Sequence, residues 1–262
     1  MQNFRLLETQ IAPGFVENGA FQHYPANTFP YIHPIDWLTS HFAVGGWSPL
    51  QRLGGMLTAH MTRIAPRAGF TWHPHRALEI YTWVIEGTLH HEDSTGGEGD
   101  IRAGEFQRMF AGDYIEHQEL NLTDDPVRVI QIWYVAERKY QGLEPHYQQL
   151  EQGELPARKL EDATVYSLIG DDSPMLQHMR GRLTAATLSA EGRAPIEAPR
   201  PGESLFLYVT DGAGYVTYDG NTNSVGQYDV ILMRPDADVV TLTAATDSSL
   251  HWLSFYLPEF LS

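Results

Sequence analysis

Two short stretches of the sequence carry residue types that bind metal ions. The first is His73-Pro74-His75, and the second, further along the chain, is Glu116-His117-Gln118-Glu119. Residues two apart on a β-strand point to the same side, so His73 and His75 would share one face, and His117 and Glu119 would do the same. Two such strands facing each other would offer three imidazoles and one carboxylate to one ion. This ligand set suits iron, manganese, nickel, copper, zinc or cobalt and does not choose among them.

Three other histidines lie near these motifs, and we interpret them as structural. His90 and His91 are adjacent, so only one of them could point inward from a strand. For this pair we expect a position near a turn, either in solvent or hydrogen-bonded. His60, at the end of a candidate strand, is interpreted in the same way.

The composition limits the classes of function. The chain has 262 residues and 17 Lys and Arg against 33 Asp and Glu, a formal net charge of −16. This charge repels phosphate backbones and anionic lipid, so direct nucleic-acid or membrane binding is not expected. There is no cysteine, so any metal must be held by nitrogen and oxygen. The sequence has no signal-peptide pattern and no apolar run long enough to span a bilayer, so we expect a cytoplasmic protein.

Short runs of β-branched and aromatic residues must position the candidate ligands. These runs are separated by Gly, Asp and Asn, a spacing that is typical of a β-sandwich or barrel. The candidate strands are 57–64, 70–74, 78–86, 88–92, 105–109, 114–121 and 127–135, followed by 164–168, 179–188, 203–210, 214–218, 229–233, 239–244 and 250–257. No helix longer than about two turns is required by the periodicity.

The two sets of candidate strands indicate an internal duplication. Both halves share an order of strands and a matching turn, which is Ile85-Glu86-Gly87 in the first half and Thr210-Asp211-Gly212 in the second. The second half has no His-x-His motif. We therefore predict a metal-binding barrel with an irregular N-terminal arm over residues 1–136, a polar linker over 137–160, and a barrel without metal ligands over 161–262.

Taken together, these motifs resemble those of the pirin family in the cupin superfamily. The segments that carry the resemblance are His73-Pro74-His75-Arg76, residues 81–87, 91–94, 103–109, 111–112 and 115–119, and Glu144-Pro145-His146-Tyr147-Gln148. The resemblance covers residues 56–150 by motif and the C-terminal half by architecture alone. It implies an all-β bicupin, with two tandem cupin-type β-barrels of which only the N-terminal one binds metal.

The resemblance implies a ligand set and leaves one rival. The ligands would be His73, His75, His117 and Glu119, with Fe(II) as the usual metal. In many other cupins the carboxylate ligand is the Glu that follows His-x-His, which here is Glu79. In the pirin pattern that role passes to Glu119, and Glu79 becomes a structural residue or one that orients a ligand. Glu79, Gln107 or a backbone carbonyl could fix the second nitrogen of a histidine ligand.

The resemblance also implies a reaction. Pirin-like proteins open flavonols such as quercetin with O2, and Glu119 would take the proton of the 3-hydroxyl as the catalytic base. The substrate could equally be another enolisable aromatic. The alternative is a non-enzymatic, iron-binding, redox-sensitive regulatory protein that acts through a protein partner, and a sugar or small-acid isomerase is a lesser possibility. A monomer is compatible with the sequence.

The sequence departs from the pirin pattern near the first motif. Ala77-Leu78 replaces the usual Gly-Phe, Asp113-Tyr114 replaces the common Arg-Gly, and the N-terminal arm lacks an Asp-Pro-Phe-rich stretch. Glycine is the residue that adopts positive φ most easily. Its loss at position 77 is therefore expected to alter the pocket wall without touching a ligand.

Overall fold

The protein is built almost entirely from antiparallel strands. The computed structural model describes the backbone of residues 16–258 and the side chains of residues 19–258. The strands are β1 (Val16–Asn18), β2 (Phe21–Tyr24), β3 (Tyr31–Ile35), β4 (Leu38–Val44), β5 (Met56–Ile64), β6 (Gly69–His75), β7 (Leu78–Glu86), β8 (Thr88–Asp93), β9 (Glu98–Arg102), β10 (Phe106–Phe110), β11 (Ile115–Leu120), β12 (Val127–Val135), β13 (His146–Leu150), β14 (Ala157–Lys159), β15 (Ala163–Ile169), β16 (Arg182–Leu188), β17 (Arg193–Pro195), β18 (Glu203–Asp211), β19 (Ala213–Tyr218), β20 (Asn221–Gly226), β21 (Val230–Met233), β22 (Thr241–Ala244) and β23 (Leu250–Pro258).

Helical structure in residues 16–258 is limited to two 3₁₀ turns, at Ala26–Thr28 and Gln152–Glu154. This confirms the all-β fold class and the expectation of no long helix for the described part of the chain. Neither turn has the length and apolarity with which a helix crosses a membrane.

The described residues form two compact units, each built from one large and one small sheet. The first unit holds Pro30–Leu155 and Met175–Arg180, and the second holds residues 16–29, Pro156–Pro174 and 181–258. In the first unit the sheet orders are β13-β10-β7-β12-β5-β4-β3 and β6-β11-β8-β9. In the second they are β1-β2-β21-β18-β23-β16-β15-β14 and β17-β22-β19-β20.

One strand order occurs in both units. The order β10-β7-β12-β5-β4 in the first large sheet corresponds strand for strand to β21-β18-β23-β16-β15 in the second, and β6-β11-β8-β9 corresponds to β17-β22-β19-β20. This repetition supports the internal duplication inferred from the sequence. The domain bounds at residues 136 and 161 stay a prediction.

Two segments that were expected to be irregular contain strands. In the N-terminal arm, β3 and β4 extend the large sheet of the first unit, with Phe42 opposite His60, whereas β2 pairs with β21 in the second unit. β3 contains Pro34, and it lies at the sheet edge, where a missing N–H is tolerated. In the polar 137–160 linker, β13 pairs with β10 along its whole length. Residues 1–15 of the predicted arm lie outside the described residues.

The core of the first unit holds its two sheets together at one end. Ile64, Val84, Val127 and Val129 of the large sheet cluster with Leu89 and Ile101 of the small sheet, and all six are buried. This apolar layer fixes the small sheet, which carries β6 and β11, against the large one. Burying such a layer is the main stabilising contribution to a β-sandwich of this kind.

Candidate metal centre and cavity

The two sequence motifs lie on neighbouring strands of the small sheet in the first unit. β6 and β11 are antiparallel, and His73 of β6 is directly opposite His117 of β11. The register shifts between His117 and Glu119, so that Glu119 pairs with Phe70. The pairing of β6 with β11 therefore brings the His-x-His motif next to the His117 motif, as predicted.

Three imidazoles meet at this position. The ring centroids are 4.3 Å apart for His73 and His117, 5.1 Å for His73 and His75, and 5.0 Å for His75 and His117. One ring nitrogen from each lies within 4.8 Å of those of the other two. Such spacing brings three nitrogen ligands within reach of one transition-metal ion.

The hydrogen bonds of these rings leave nitrogen atoms available. Nδ1 of His73 lies 2.8 Å from the carbonyl oxygen of Thr71. A carbonyl can only accept, so Nδ1 of His73 carries the proton and Nε2 is left with a lone pair. Nε2 of His75 and both ring nitrogens of His117 are buried without a hydrogen-bond partner. Orphaned buried nitrogens are costly, and a metal ion would satisfy them.

Burial keeps two of these imidazoles neutral. Desolvation and the nearby His73 lower the pKa of His75 from 6.5 to about 4. Desolvation, followed by the charges of His73, His91 and His75, lowers the pKa of His117 to about 2. A metal binds only deprotonated imidazole, so both side chains are in the metal-binding form at neutral pH.

Glu119 lies against His117 and is held by amides of the large sheet. Its Oε1 accepts hydrogen bonds from Nε2 of Gln107 and Nε2 of Gln131, both at 3.0 Å, and its Oε2 accepts from Gln131 at 2.8 Å. Nε1 of Trp133 in turn donates to Oε1 of Gln131 at 2.9 Å. This last bond fixes which end of the Gln131 amide faces the carboxylate. No spacing in the sequence predicts this network, because its members come from three separate strands.

Glu79 lies away from the cluster. Thr82 of β7 faces the inner side of the large sheet, where its hydroxyl accepts a hydrogen bond from Gln107. Glu79 is three residues before Thr82 on the same strand, so the alternation of side chains places Glu79 on the opposite face. There it is fully buried with Arg108, which donates from Nη2 to Oε1 at 2.9 Å. Of the three candidates for orienting a histidine ligand, the backbone carbonyl does so for His73. Glu79 bonds to Arg108 and Gln107 bonds to Glu119 instead.

His91 is the member of the adjacent pair that points into the barrel, and both His90 and His91 are hydrogen-bonded, as expected from the sequence. His91 is fully buried, its Nε2 lies 3.1 Å from Oδ2 of Asp93, and its ring stacks on that of Tyr147 at 4.4 Å. A nitrogen of His91 also lies within 4.8 Å of donor atoms of His117 and Glu119. His90 faces the other way and pairs with Asp100 at 2.9 Å.

A cavity of about 570 Å³ opens beside the cluster. His73 and Glu119 form part of its wall, together with Gln131 and Trp133. The rest is mostly apolar, with Leu38, Phe42, Leu57, Ile64, Phe70 and Val129. His60, which was interpreted as structural, also lines this cavity. A pocket of this size with mostly apolar walls is typical of a small-molecule binding site.

Comparison with known proteins identifies the family. The Pirin family model matches residues 48–134, the segment that carries the histidine cluster. A protein of Mycobacterium tuberculosis named "Putative quercetin 2,3-dioxygenase" is 31% identical over 198 residues, which are 75% of this chain and 78% of that protein. The chain belongs to the pirin family. A Pasteurella multocida pirin relative with the same kind of name is 42% identical over 131 residues, or 49% of this chain. The match spans 55% of the Pasteurella protein, about half its length.

Solved pirin structures share the fold. The bacterial pirin YhhW of Escherichia coli in complex with nickel(II) superposes with a TM-score of 0.73 at 24% sequence identity, covering 91% of this chain and 99% of that one. This confirms the predicted bicupin architecture. In this pirin-family chain, His73, His75 and His117 form one group that could hold a metal ion, and His91, His117 and Glu119 form a second group that shares His117 with the first.

Proposed function

We propose that this pirin is a metal-dependent dioxygenase that opens flavonols, such as quercetin, or a related enolisable aromatic with O2. The observation that carries the proposal is the position of the cluster. His73 and Glu119 line the apolar cavity, so a substrate in the cavity would reach the metal and the carboxylate together. The names of the Mycobacterium and Pasteurella relatives support the same reaction class.

We propose His73, His75, His117 and Glu119 as the metal ligands and Fe(II) as the metal. The residues fit such an ion. The cluster has buried nitrogens without partners and a carboxylate close to His117, and borderline metals prefer imidazole with carboxylate. Nickel is compatible with the same donors, and the E. coli pirin structure contains nickel(II).

When bound, the metal would supply Lewis acidity that favours the ionised 3-hydroxyl, and open positions for the substrate oxygens and O2. Glu119 takes the proton of the 3-hydroxyl on a carboxylate oxygen, which makes it the catalytic base. Gln107 and Gln131 hold that carboxylate in place through their donated hydrogen bonds. The apolar wall formed by residues such as Phe70 and Val129 excludes water from the ionised substrate.

The overall reaction balances without a further reductant. O2 adds to the flavonol, the C2–C3 and C3–C4 bonds break, and C3 leaves as carbon monoxide with its own oxygen. Both atoms of O2 remain in the ester product, and O2 is the oxidant. The proton that Glu119 accepts ends on the carboxyl group of the product or in solvent.

The test combines metal analysis with turnover. The purified protein is analysed for metal by mass spectrometry, loaded with Fe(II), and mixed with quercetin in air and under nitrogen, while flavonol absorbance and released carbon monoxide are followed. We expect flavonol loss and carbon monoxide only in air. The His117→Ala variant should lose both metal and turnover, whereas His90→Ala, which alters the outward-facing neighbour of His91, should retain both.

Two results would overturn the proposal. An Fe(II)-loaded protein that leaves flavonols intact in air contradicts the dioxygenase and leaves the non-enzymatic, redox-sensitive role with a protein partner. A His117→Ala variant that keeps metal and activity contradicts the ligand set.

A further inference from the structure

A row of side chains crosses the large sheet of the first unit beneath the candidate metal site. Phe42, His60, Gln131, Thr82 and Gln107 are paired in register across the neighbouring strands β4, β5, β12, β7 and β10. Gln131 and Gln107 donate hydrogen bonds to Glu119. His60 lies one strand beyond Gln131, roughly 5 Å away by the ordinary strand spacing. It therefore faces the same cavity beside the reacting end of a bound substrate.

The ring of His60 is held on two sides. It stacks on Phe42 with ring centroids 4.9 Å apart and an interplanar angle of 20°. Its Nδ1 lies 3.1 Å from the hydroxyl of Thr58. Thr58 and Phe42 lie on strands of the barrel wall, so the plane and the rotation of the imidazole are both fixed.

The tautomer of His60 follows from the partner of Thr58. The Thr58 hydroxyl donates its one proton to the carbonyl oxygen of Val44 at 2.9 Å. It can then only accept from His60, so Nδ1 of His60 carries the proton and Nε2 carries a lone pair. Within residues 19–258 the structure gives Nε2 no hydrogen-bond partner.

His60 is an acceptor at neutral pH. Desolvation lowers its pKa from 6.5 to about 4, which keeps the ring uncharged. The neighbouring wall is apolar, with Leu57 and Ile64 on the same strand. Besides Thr58, the wall carries the hydroxyls of Ser40 and Thr62, whose oxygens lie 3.4 Å from each other. His60 is partly exposed on the cavity wall, so a donor on a bound molecule can reach its free nitrogen.

We propose that Nε2 of His60 accepts a hydrogen bond from a phenolic hydroxyl of the substrate, separate from the group that binds the metal. His60 is then a specificity-determining residue, and the cavity selects planar aromatics with a second hydroxyl over those without one. The identity of the planar aromatic as a flavonol rests on the proposed function. The role of His60 as an acceptor rests on Thr58, Val44 and Phe42.

The experiment compares three probes that differ by one hydroxyl. These are 3-hydroxyflavone, 3,7-dihydroxyflavone and 3,4′-dihydroxyflavone, bound under nitrogen to the Fe(II)-loaded full chain and followed by quenching of tryptophan fluorescence. In the wild type, one of the dihydroxyflavones should bind about tenfold more tightly than 3-hydroxyflavone, the gain expected from one added hydrogen bond. In His60→Phe, which cannot accept, this ratio should fall to about one.

Matched variants separate His60 from its surroundings. Thr62→Val removes a cavity hydroxyl on the same strand and should keep the tenfold ratio. Thr58→Val removes the acceptor that fixes the tautomer and should reduce the ratio, while Thr58→Ser should preserve it. Metal content and circular dichroism show whether each variant is folded. If His60→Phe does not fold, the test rests on the affinity ratio of the wild type and on the comparison of Thr58→Val with Thr58→Ser.

The outcomes distinguish this inference from the proposed function. The role of His60 is wrong, even where turnover in air is observed, if neither dihydroxyflavone binds the wild type more tightly than 3-hydroxyflavone does. It is also wrong if His60→Phe keeps the tenfold difference in affinity or if Thr62→Val abolishes it. If the ratio follows His60 but no probe is consumed in air, the dioxygenase is wrong and the acceptor role stands. If none of the three probes binds, both are wrong.

Discussion

The carboxylate of Glu79 lies 2.7 Å from Nε of Arg108, and both side chains are fully buried. Nη2 of Arg108 also donates to Nδ1 of His178 at 2.9 Å, and the backbone N–H of His178 donates to Glu79. Desolvation raises the pKa of Glu79, and the charge and hydrogen bonds of Arg108 oppose this. The pair lies on the face of the large sheet that points away from the cavity, which makes it a structural element of the barrel.

Replacing Glu79 should therefore reduce stability without removing the metal. Glu79→Gln leaves a buried guanidinium without its counter-charge, which typically costs about 3–5 kcal/mol of unfolding free energy. Urea unfolding measures the loss, and metal analysis should show unchanged binding. Glu119→Gln is the matched control, because it should lower metal affinity with a smaller effect on unfolding. A stable Glu79→Gln protein that cannot bind metal would assign the ligand role to Glu79.

Local periodicity predicted the two halves of the histidine cluster, and the pirin resemblance brought them together. His73 and His75 share a face because they are two apart on β6, and the neighbouring His117 follows from the pairing of β6 with β11. The partners of Glu119 could not be predicted in this way. Gln107 and Gln131 reach it from β10 and β12 of the facing sheet, and no spacing in the sequence connects these strands.

The missed strands have a similar explanation. β13 is polar and its residues are at most half-buried, so it has no alternation of apolar and polar residues, and only its pairing with β10 defines it. β9 lies in a stretch rich in Gly, Glu and Asp, with only Ile101 buried. Strands at sheet edges bury little apolar area, and a pattern search that depends on burial does not find them.

Trp133 should affect turnover through Gln131. Trp133→Phe removes the indole N–H that donates to Oε1 of Gln131, so the amide can turn and present its oxygen to Glu119. We expect a roughly tenfold lower kcat for flavonol with unchanged metal content, comparable to the loss of one charge-assisted hydrogen bond. Trp72→Phe is the control, since Trp72 is 47% exposed. Equal kcat values for the wild type and Trp133→Phe would exclude this positioning role.

The metal-free protein should lose stability as the pH falls. The folded pKa of His117, about 2, lies far below its ordinary value of 6.5, so between these values the unfolded chain binds a proton that the folded chain does not. The contribution of His117 is complete above pH 6.5 and declines below it, by up to about 1.4 kcal/mol per pH unit.

His117→Asn, which cannot titrate, should weaken this dependence. The measurement is urea unfolding of EDTA-treated wild type and variant at pH 7, 6 and 5. The two curves of unfolding free energy against pH should diverge as the pH rises from 5 to 7, with the wild type the steeper. Parallel curves would show that His117 is not a buried, neutral imidazole in the folded protein.

Ala77 adopts a backbone conformation that favours glycine. Its φ is +56°, its N–H donates to the carbonyl oxygen of Gly112 at 2.8 Å, and its own carbonyl oxygen accepts from Ala136 at 3.0 Å. The chain therefore keeps the left-handed turn between β6 and β7 with alanine in place of the glycine that the pirin pattern has there. A left-handed conformation costs a non-glycine residue about 1–2 kcal/mol.

Ala77→Gly should stabilise the protein. Glycine removes the cost of the left-handed conformation, but its greater freedom in the unfolded chain costs about 0.5–1 kcal/mol. Because the first effect is larger, we expect the free energy of unfolding to rise by about 0.5–1 kcal/mol. Ala103→Gly is the control, because Ala103 is exposed and does not have a positive φ. At that position glycine relieves no strain, so its greater freedom in the unfolded chain should lower the stability of the protein. Urea unfolding of the two variants against the wild type measures both signs. A loss of stability in Ala77→Gly equal to that in Ala103→Gly would mean that the turn at position 77 is not strained.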